Sequence, residues 1–332
     1  MISVSCSLTL LKILCVLLLL LSVWIVIPAP ALVFMPFTIV IPEYSPILLV
    51  FTLLLVAIRR RLWPWLLVPA LLFAWPLTEL PNWNLRRVST ARVEPEKLPL
   101  HILYYPAATT GLHLAVIDIY GGAWRGGRAS DDHLFDSYLA ARGYPVYAIE
   151  YRHVPAHFPA QLEDVRAAIA WIHEHDPRNL VLCGRSSGGE LALLAAYEGG
   201  PVPIRGVIGF YPPSDLTRGY NEVPSPDPIG VRQVLEAYIG GTPSNAAELY
   251  RQASAITYAS RKQPPTLLIQ GGRDHLVLPN FTRDLHRQLL ASGTDSTLLE
   301  LPWSDHAFDF AFGGLGYRLT IHEVEQFLAR VR

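Results

Sequence analysis

Residues 180–197 read LVLCGRSSGGELALLAAY, and this stretch decides the fold class. An apolar run leads into Gly184-Arg185-Ser186-Ser187-Gly188, and an apolar segment of helical length follows. Strand, tight turn and helix form the setting of a nucleophile elbow, in which the serine of G-x-S-x-G projects from a sharp turn. Glycine is needed at both ends of this turn because strand and helix approach too closely for a Cβ atom. Ser186 is therefore a candidate nucleophile; the alternative is that it only caps the helix.

On both sides of this stretch, short β-rich runs alternate with amphipathic segments of helical length. This alternation predicts an α/β fold with a mostly parallel sheet that is covered on both faces. Functional sites of such sheets lie beyond the carboxyl ends of the strands. The predicted strands are residues 112–120, 144–151, 180–183, 204–210, 266–270 and 297–301, and the predicted helices are 158–175, 187–197, 280–291 and 321–331.

The pattern also divides the chain into regions. Residues 1–83 are almost uncharged, 84–99 are polar and predict a linker, and 100–332 predict one globular domain. Between about 212 and 260 the alternation lapses into a proline- and glycine-rich stretch with short helices. An insertion of this length is typical of a cap over a site.

Composition excludes several classes of protein. The chain has 332 residues, of which 51% are apolar and 17% charged, with a net charge of -1. Disordered proteins contain fewer apolar residues, and nucleic-acid-binding proteins are usually basic. Three cysteines cannot form a disulfide framework, and neither a metal nor an organic cofactor is expected.

The first 83 residues predict attachment to a lipid bilayer. Residues 8–27 are long enough to cross it, since a span needs roughly 20 apolar residues. Residues 32–58 are apolar but interrupted by Pro42-Glu43-Tyr44-Ser45-Pro46, and 62–80 are a third candidate. We therefore expect two to three transmembrane helices. The alternative for the first segment is a cleaved secretory signal ending near Ala29-Pro30-Ala31.

The basic residues of this segment bear on its orientation. With three spans, Lys12 and the arginines at 59–61 lie together on the cytoplasmic side. An integral protein of the cell membrane with its globular domain on the non-cytoplasmic side is then expected. The arginines at 86, 87 and 92 favour the opposite orientation.

Two further side chains complete a possible Ser-His-Asp set. A serine hydroxyl needs a base within hydrogen-bond distance, and the base needs a carboxylate to orient it. His306 follows the predicted strand 297–301, and Asp274 follows the strand 266–270. The order Ser186, Asp274, His306 is the order of hydrolases with a nucleophile elbow. Asp305 is a rival acid, but chain neighbours rarely face each other across an imidazole.

Backbone amides at the same edge could bind an oxyanion. Tyr120-Gly121-Gly122-Ala123-Trp124 directly follows a strand, and its glycines allow close approach to a ligand. We assign donors to Gly122, Ala123 and Ser187, with Gly121 shaping the turn. Candidate residues of a substrate pocket are Trp124, Arg185 and Tyr211.

Together these residues resemble the α/β-hydrolase superfamily, in particular its esterase and lipase branch of hormone-sensitive-lipase-like and kynurenine-formamidase-like enzymes. The resemblance covers about residues 95–332 and includes Tyr151-Arg152-His153-Val154-Pro155 and Gly240-Gly241-Thr242-Pro243. It implies a three-layer α/β-hydrolase fold and a serine esterase acting on a small-molecule ester or acyl substrate. An amidase or arylformamidase, or a non-catalytic binding module, are the alternatives.

Two positions depart from that branch. Tyr120 stands where the oxyanion loop usually begins with histidine. Either its hydroxyl supplies the bond that braces the loop, or the loop is set differently. Arg185 precedes the nucleophile where aspartate or histidine is common. Its guanidinium would favour an anionic substrate if it faced the site, whereas an outward orientation is the ordinary expectation.

Overall fold

The computed structural model describes residues 2–88, 90, 92–109 and 113–332, with side chains from Thr9 onward. An eight-stranded sheet forms its centre, with the strand order β1-β2-β4-β3-β5-β6-β7-β8. β1 and β2 run antiparallel to their neighbours, and the remaining strands are parallel. The strands are β1 Glu96–Lys97, β2 Leu103–Tyr105, β3 Leu114–Ile119, β4 Val146–Ile149, β5 Asn179–Arg185, β6 Ile204–Phe210, β7 Thr266–Gly271 and β8 Ser296–Leu301.

Twelve α-helices occur within the described residues. They are α1 Ile2–Val23, α2 Met35–Glu43, α3 Ser45–Ile58, α4 Trp63–Thr78, α5 His133–Ala141, α6 Ala160–His175, α7 Ser187–Tyr197, α8 Leu216–Asn221, α9 Val231–Ile239, α10 Ala247–Gln252, α11 Pro279–Ala291 and α12 Leu315–Val331. The mostly parallel sheet predicted from the alternating pattern is confirmed. The predicted strand 112–120 is observed as β3, and its expected start at Leu112 lies outside the described residues.

Helices cover both faces of the sheet. β3 shows why, since its six residues are all buried and alternate between the two sides. Ile117 and Ile119 pack with α6 and α7, whereas Val116 packs with α5 and α12. A strand that buries both faces is mainly apolar, and five of the six residues of β3 are apolar; the exception is the buried Asp118. The result is three layers, with the carboxyl ends of the parallel strands along one edge.

Two parts of the chain extend this layered unit. Helices α8, α9 and α10 lie between β6 and β7, within the stretch expected to form a cap, and Val234 and Tyr238 of α9 join the core. At the other end, β1 lies within the region expected to be a linker. It pairs with β2, so this region contributes an edge strand to the sheet.

Residues 2–78 form mainly apolar helices, several of which pack on one another. α1, α3 and α4 share a small core that includes Leu18, Leu55 and Phe73. The two to three predicted membrane spans are not supported by helix length. Among the described residues, no single helix is both long and apolar enough to cross a bilayer. Only Leu32–Glu43 and Ser45–Ile58 taken together reach that length, and they are bent by 72° at Tyr44.

Candidate active site

Ser186 lies on the turn between β5 and α7. Its φ of 50° and ψ of -120° are unusual for a residue with a side chain. The turn is so tight that a Cβ atom at Gly184 would lie 2.2 Å from the carbonyl oxygen of Gly188. A Cβ at Gly188 would lie 2.1 Å from the carbonyl oxygen of Ile119, at the end of β3. The predicted elbow geometry is therefore present, and it holds the serine above the edge of the sheet.

Three predicted residues from three loops form one hydrogen-bonded row. The Oγ of Ser186 lies 3.0 Å from the Nε2 of His306. On the other side of the imidazole, Nδ1 lies 2.8 Å from the Oδ2 of Asp274. Asp274 also accepts hydrogen bonds from the backbone amides of Leu276 and Val277, which fix its carboxylate. The row has the geometry of a nucleophile, its base and the acid that orients the base.

The pKa of His306 results from opposing effects. Burial lowers the pKa, whereas the charge of Asp274 and its hydrogen bond raise it, and the net pKa lies above that of an ordinary histidine. This environment therefore favours the protonated form of the imidazole.

The rival acid Asp305 binds a different histidine. Its Oδ1 lies 2.6 Å from the Nδ1 of His275 and accepts the backbone N–H of His306 at 2.7 Å. Asp305 therefore orients the loop on which His306 lies, while Asp274 contacts the ring. The neighbouring His275 has a structural contact that its position in the sequence did not suggest.

The glycine loop after β3 packs against the elbow. A Cβ atom at Gly121 would lie 3.2 Å from that of Ser186, and Gly122 has a φ of 145° that residues with side chains rarely adopt. Gly121, Gly122 and Ala123 line the same cavity as Ser186 and His306. Ser187, predicted to donate through its backbone, is buried at the start of α7. Its hydroxyl lies 3.3 Å from that of Tyr151.

Tyr120 braces this loop through its hydroxyl, as its substitution for histidine suggested. The hydroxyl lies 2.9 Å from both Oε2 of Glu150 and Nε2 of His153. Its ring stacks on Tyr151 with a centroid separation of 4.5 Å. The loop is therefore anchored to the segment that follows β4.

Trp124 and Tyr211, two predicted pocket residues, line the cavity. The indole of Trp124 stacks on Tyr238 of α9 at 4.0 Å and donates to Oε2 of Glu190. The ring of Tyr211 lies 4.5 Å from that of His306, and its hydroxyl donates to Asp309. Both side chains therefore connect the cavity wall to buried carboxylates.

Arg185 lines the cavity, in agreement with its prediction as a pocket residue. The outward orientation expected for its side chain is wrong, because the side chain is only 2% exposed. The guanidinium pairs with Asp118, Asp132 and Asp309 at 2.7 to 3.1 Å. Three buried carboxylates require a cation close by, and Arg185 supplies it. This removes the reason to expect an anionic substrate.

Sequence reasoning also missed a buried carboxylate behind the glycine loop that follows β3. Glu190 lies on α7 and accepts hydrogen bonds from Trp124 and Tyr238, which connects that loop to α9. Burial raises the pKa of Glu190 well above its usual value, although these two hydrogen bonds lower it. The available signal was a single charge within the otherwise apolar segment 187–197.

The cavity beside Ser186 has a volume of about 340 Å³, which is within the range of small-molecule sites. Its walls are mainly apolar and include Leu216, Val234 and Leu235 of the 212–260 region. Two wall residues, Leu32 and Met35, come from the N-terminal segment. The sequence predicted no contribution from this segment, because nothing in its apolar pattern points to a site 150 residues away.

The BD-FAE family model matches residues 102–289, more than half of the chain. Two curated relatives come from Mycobacterium tuberculosis. The one named probable carboxylic ester hydrolase LipM is 32% identical over 67% of this chain and 55% of its own length. Esterase LipC is 31% identical over 65% of this chain and 58% of its own length. The chain thus spans little more than half the length of these relatives.

Solved structures share the fold. A thermophilic esterase of Thermogutta terrifontis, Est2, aligns with a TM-score of 0.58 at 21% identity, covering 73% of this chain and 92% of that protein. An esterase of the bacterial hormone-sensitive lipase family aligns with a TM-score of 0.60 at 25% identity, covering 72% and 84%. The predicted α/β-hydrolase fold, and the resemblance to its esterase and lipase branch, are confirmed.

Proposed function

Because the chain belongs to the BD-FAE family, we propose that it is a serine hydrolase that cleaves carboxylic esters of small molecules. The observation that carries this proposal is the row from Ser186 through His306 to Asp274, with contacts of 3.0 and 2.8 Å. Ser186 and His306 line an apolar cavity. The names of the relatives agree with it, since LipM and LipC are named as an ester hydrolase and an esterase.

The proposed reaction has two steps that share one base. The Oγ of Ser186 attacks the acyl carbon while Nε2 of His306 takes its proton, and Asp274 orients the imidazolium. His306 then donates the proton to the departing alcohol, which leaves an acyl group on the serine. Water, deprotonated by His306, cleaves this acyl-enzyme and restores the hydroxyl.

The negative charge of each tetrahedral intermediate requires donors that are already in place. We assign this role to the backbone N–H groups of Gly122, Ala123 and Ser187. Removing one such donor from a hydrolase costs roughly 10²- to 10³-fold in rate. The bracing of the loop by Tyr120 and Trp124 supports the assignment, because fixed donors need no reorganisation during the reaction.

We also propose that the N-terminal helices bind a lipid bilayer. Large apolar side chains along residues 10–71 remain exposed, among them Ile47, Leu54 and Trp65 at 55% to 68%. An apolar surface of this size is typical of a membrane or protein interface. The 72° bend between Leu32–Glu43 and Ser45–Ile58 is compatible with a segment that dips into the bilayer. Attachment to the cell membrane, and the non-cytoplasmic side for the catalytic domain, remain predictions.

Labelling with a fluorophosphonate tests the serine mechanism. Purified protein should be labelled and should hydrolyse nitrophenyl esters, and Ser186→Ala should abolish both. The matched control is Ser187→Ala, which removes the adjacent hydroxyl and should retain labelling. Persistent labelling of Ser186→Ala would reject the nucleophile. An unlabelled and inactive wild type would favour a binding module, and preferential cleavage of an arylformamide would favour the amidase alternative.

A further inference from the structure

Glu43 comes from the N-terminal segment and is buried in the hydrolase unit, with only 1% of its surface exposed. Its Oε1 accepts hydrogen bonds from the hydroxyl of Ser304 at 2.5 Å and from the indole of Trp303 at 3.2 Å. Its Oε2 accepts the backbone N–H of Gly316 at 2.5 Å. The carboxylate therefore joins the loop that precedes His306 to the start of α12.

All three partners donate, so the site requires a group that only accepts. The first N–H groups of a helix have no partner within the helix, and the helix dipole favours negative charge there. The first turn of α12 contains no acidic residue, and the Glu43 carboxyl lies there instead. Burial raises the pKa of Glu43 to about 7, and the hydrogen bonds from Ser304, Gly316 and Trp303 act in the opposite direction. A glutamine would turn its NH₂ group toward at least one donor, because Gly316 and Trp303 lie on opposite oxygens of the carboxylate.

Further contacts hold the same part of the chain. The hydroxyl of Tyr44 donates to the carbonyl oxygen of Phe312 at 2.5 Å. Arg273, adjacent to Asp274, donates to the carbonyl oxygen of Val26 at 2.5 Å. The packing at Glu43 is tight, since a Cβ atom at Gly316 would lie 2.8 Å from Oε2. The segment is thus fixed near both loops that bear His306 and Asp274.

This docking has a consequence for the cavity. Leu32 and Met35 lie 11 and 8 residues before Glu43 and form part of the wall near Ser186. Leu32 is 59% exposed. Phe310, which lines the same cavity from the hydrolase unit, is 61% exposed. Exposed apolar side chains therefore border the entrance from both parts of the chain. Such an entrance favours an apolar substituent over a polar one.

On the basis of the proposed function, we propose that Glu43 is a positioning residue for His306. The segment it fixes brings Leu32 and Met35 into contact with the substrate. These two side chains select esters whose acyl group is an extended apolar chain. Neither role follows from the reaction mechanism, because the serine, the base and the oxyanion donors all lie outside this segment.

Selectivity for acyl-chain length tests whether Leu32, in the wall of the cavity, contacts the substrate. For each purified full-length variant, kcat and KM are measured on nitrophenyl acetate, butyrate and octanoate, with rates normalised to sites titrated by a fluorophosphonate. Leu32→Ala should lower the octanoate-to-acetate ratio of kcat/KM by roughly three- to tenfold, mainly through the KM for octanoate. Val33→Ala is the matched control, since Val33 lies in the same 3₁₀ turn and is 72% exposed but does not line the cavity. Equal octanoate-to-acetate ratios in the two variants would contradict the proposed contact between Leu32 and the acyl chain.

The substitution Glu43→Gln tests whether Glu43 positions His306. We expect kcat per titrated site to fall on the order of tenfold for every ester, because small displacements of a base are costly, and the octanoate ratio to fall as well. Gly316→Ala approaches the same contact from α12 and should reproduce both effects, whereas the exposed Glu79→Gln should produce neither. If Glu43→Gln and Gly316→Ala reduce only the number of titratable sites, with kcat per site and the ratio unchanged, Glu43 is merely structural and the inference fails. A wild type without titratable sites would instead refute the proposed function.

Discussion

His306 is held by two aspartates that bind different parts of it. Asp274 contacts the ring at Nδ1, and Asp305 contacts the backbone amide. A residue that touches the ring can change its pKa and tautomer, whereas one that touches the backbone changes mainly its position. The two carboxylates therefore make distinguishable contributions to the same base.

Asp274→Asn should lower kcat/KM by roughly 10⁴-fold, because the amide no longer stabilises the imidazolium or its tautomer. It should also change the pH profile. The base must be neutral to act, so wild-type kcat/KM should fall as pH decreases through a pKa above the usual histidine value of 6.5. Burial lowers that pKa and the charge of Asp274 raises it. Removing the charge of Asp274 should therefore lower the pKa of His306, so the residual activity should fall off at a lower pH than in the wild type.

Asp305→Asn is the matched control for this pH profile. It keeps the Asp274 contact, so the loss in kcat/KM should be much smaller and the acid limb should move less. A loss as large as that of Asp274→Asn would contradict the assignment of Asp274 as the orienting acid. The measurement for both variants is kcat/KM between pH 5 and 9.

Arg185 shows where prediction from single residues ends. Its position before the serine was evident from the motif, but its direction depends on Asp118, Asp132 and Asp309. These carboxylates are separated by up to 191 positions in the chain, and no local pattern connects them. Ser186, Asp274 and His306 could be identified because each follows a strand, and parallel strands bring their carboxyl ends to one edge.

Helices and strands set by a local pattern could be predicted from the sequence, whereas those set by distant contacts could not. α7 and β6 match the predicted ranges 187–197 and 204–210, because an uninterrupted apolar pattern determines them locally. β1 and β2 were not predicted, since two or three residues are too few to show a period. β2 pairs with β4 and β1 pairs with β2, so both strands depend on the rest of the sheet. The docking of α2 through Glu43 is likewise invisible from sequence, because its partners lie about 260 positions away.

The contact between the elbow and β3 leads to a prediction about stability. Gly188→Ala would place a Cβ atom 2.1 and 2.2 Å from the carbonyl oxygens of Ile119 and Tyr120, and backbone atoms cannot move aside cheaply. We expect the free energy of unfolding to fall by about 1–3 kcal/mol or more. Hydrolysis should fall further, since the elbow and the oxyanion loop would be separated.

Gly200→Ala is the control for this elbow substitution, because nothing lies within 4 Å of a Cβ atom there. Its effect should stay within about 0.5 kcal/mol. Denaturant unfolding of the two variants measures the difference. Equal stabilities would show that the close approach of elbow and strand does not limit this turn.

At the scale of the whole molecule, the apolar N-terminal segment has two different surfaces. Toward the hydrolase unit it presents Glu43, Met35 and part of Leu32, and on its other side it exposes apolar residues of α3 and α4. A segment that only anchored the protein would not need a buried carboxylate that contacts the loop preceding the base. If the segment binds lipid as proposed, an apolar substrate dissolved in a bilayer would meet the cavity entrance at that surface.

Binding to lipid vesicles tests the outer surface. The purified chain should float with phosphatidylcholine vesicles, and more so when they contain phosphatidylserine, because Arg59, Arg60 and Arg61 are exposed beside α3. Val50→Lys combined with Leu54→Lys should reduce flotation, since both side chains are more than half exposed on one face of α3 and charge is costly in hydrocarbon. The control is Leu290→Lys, which places the same charge at a half-exposed leucine of α11 and should leave flotation unchanged. Equal binding by all three proteins would show that the N-terminal helices do not form the lipid-binding surface.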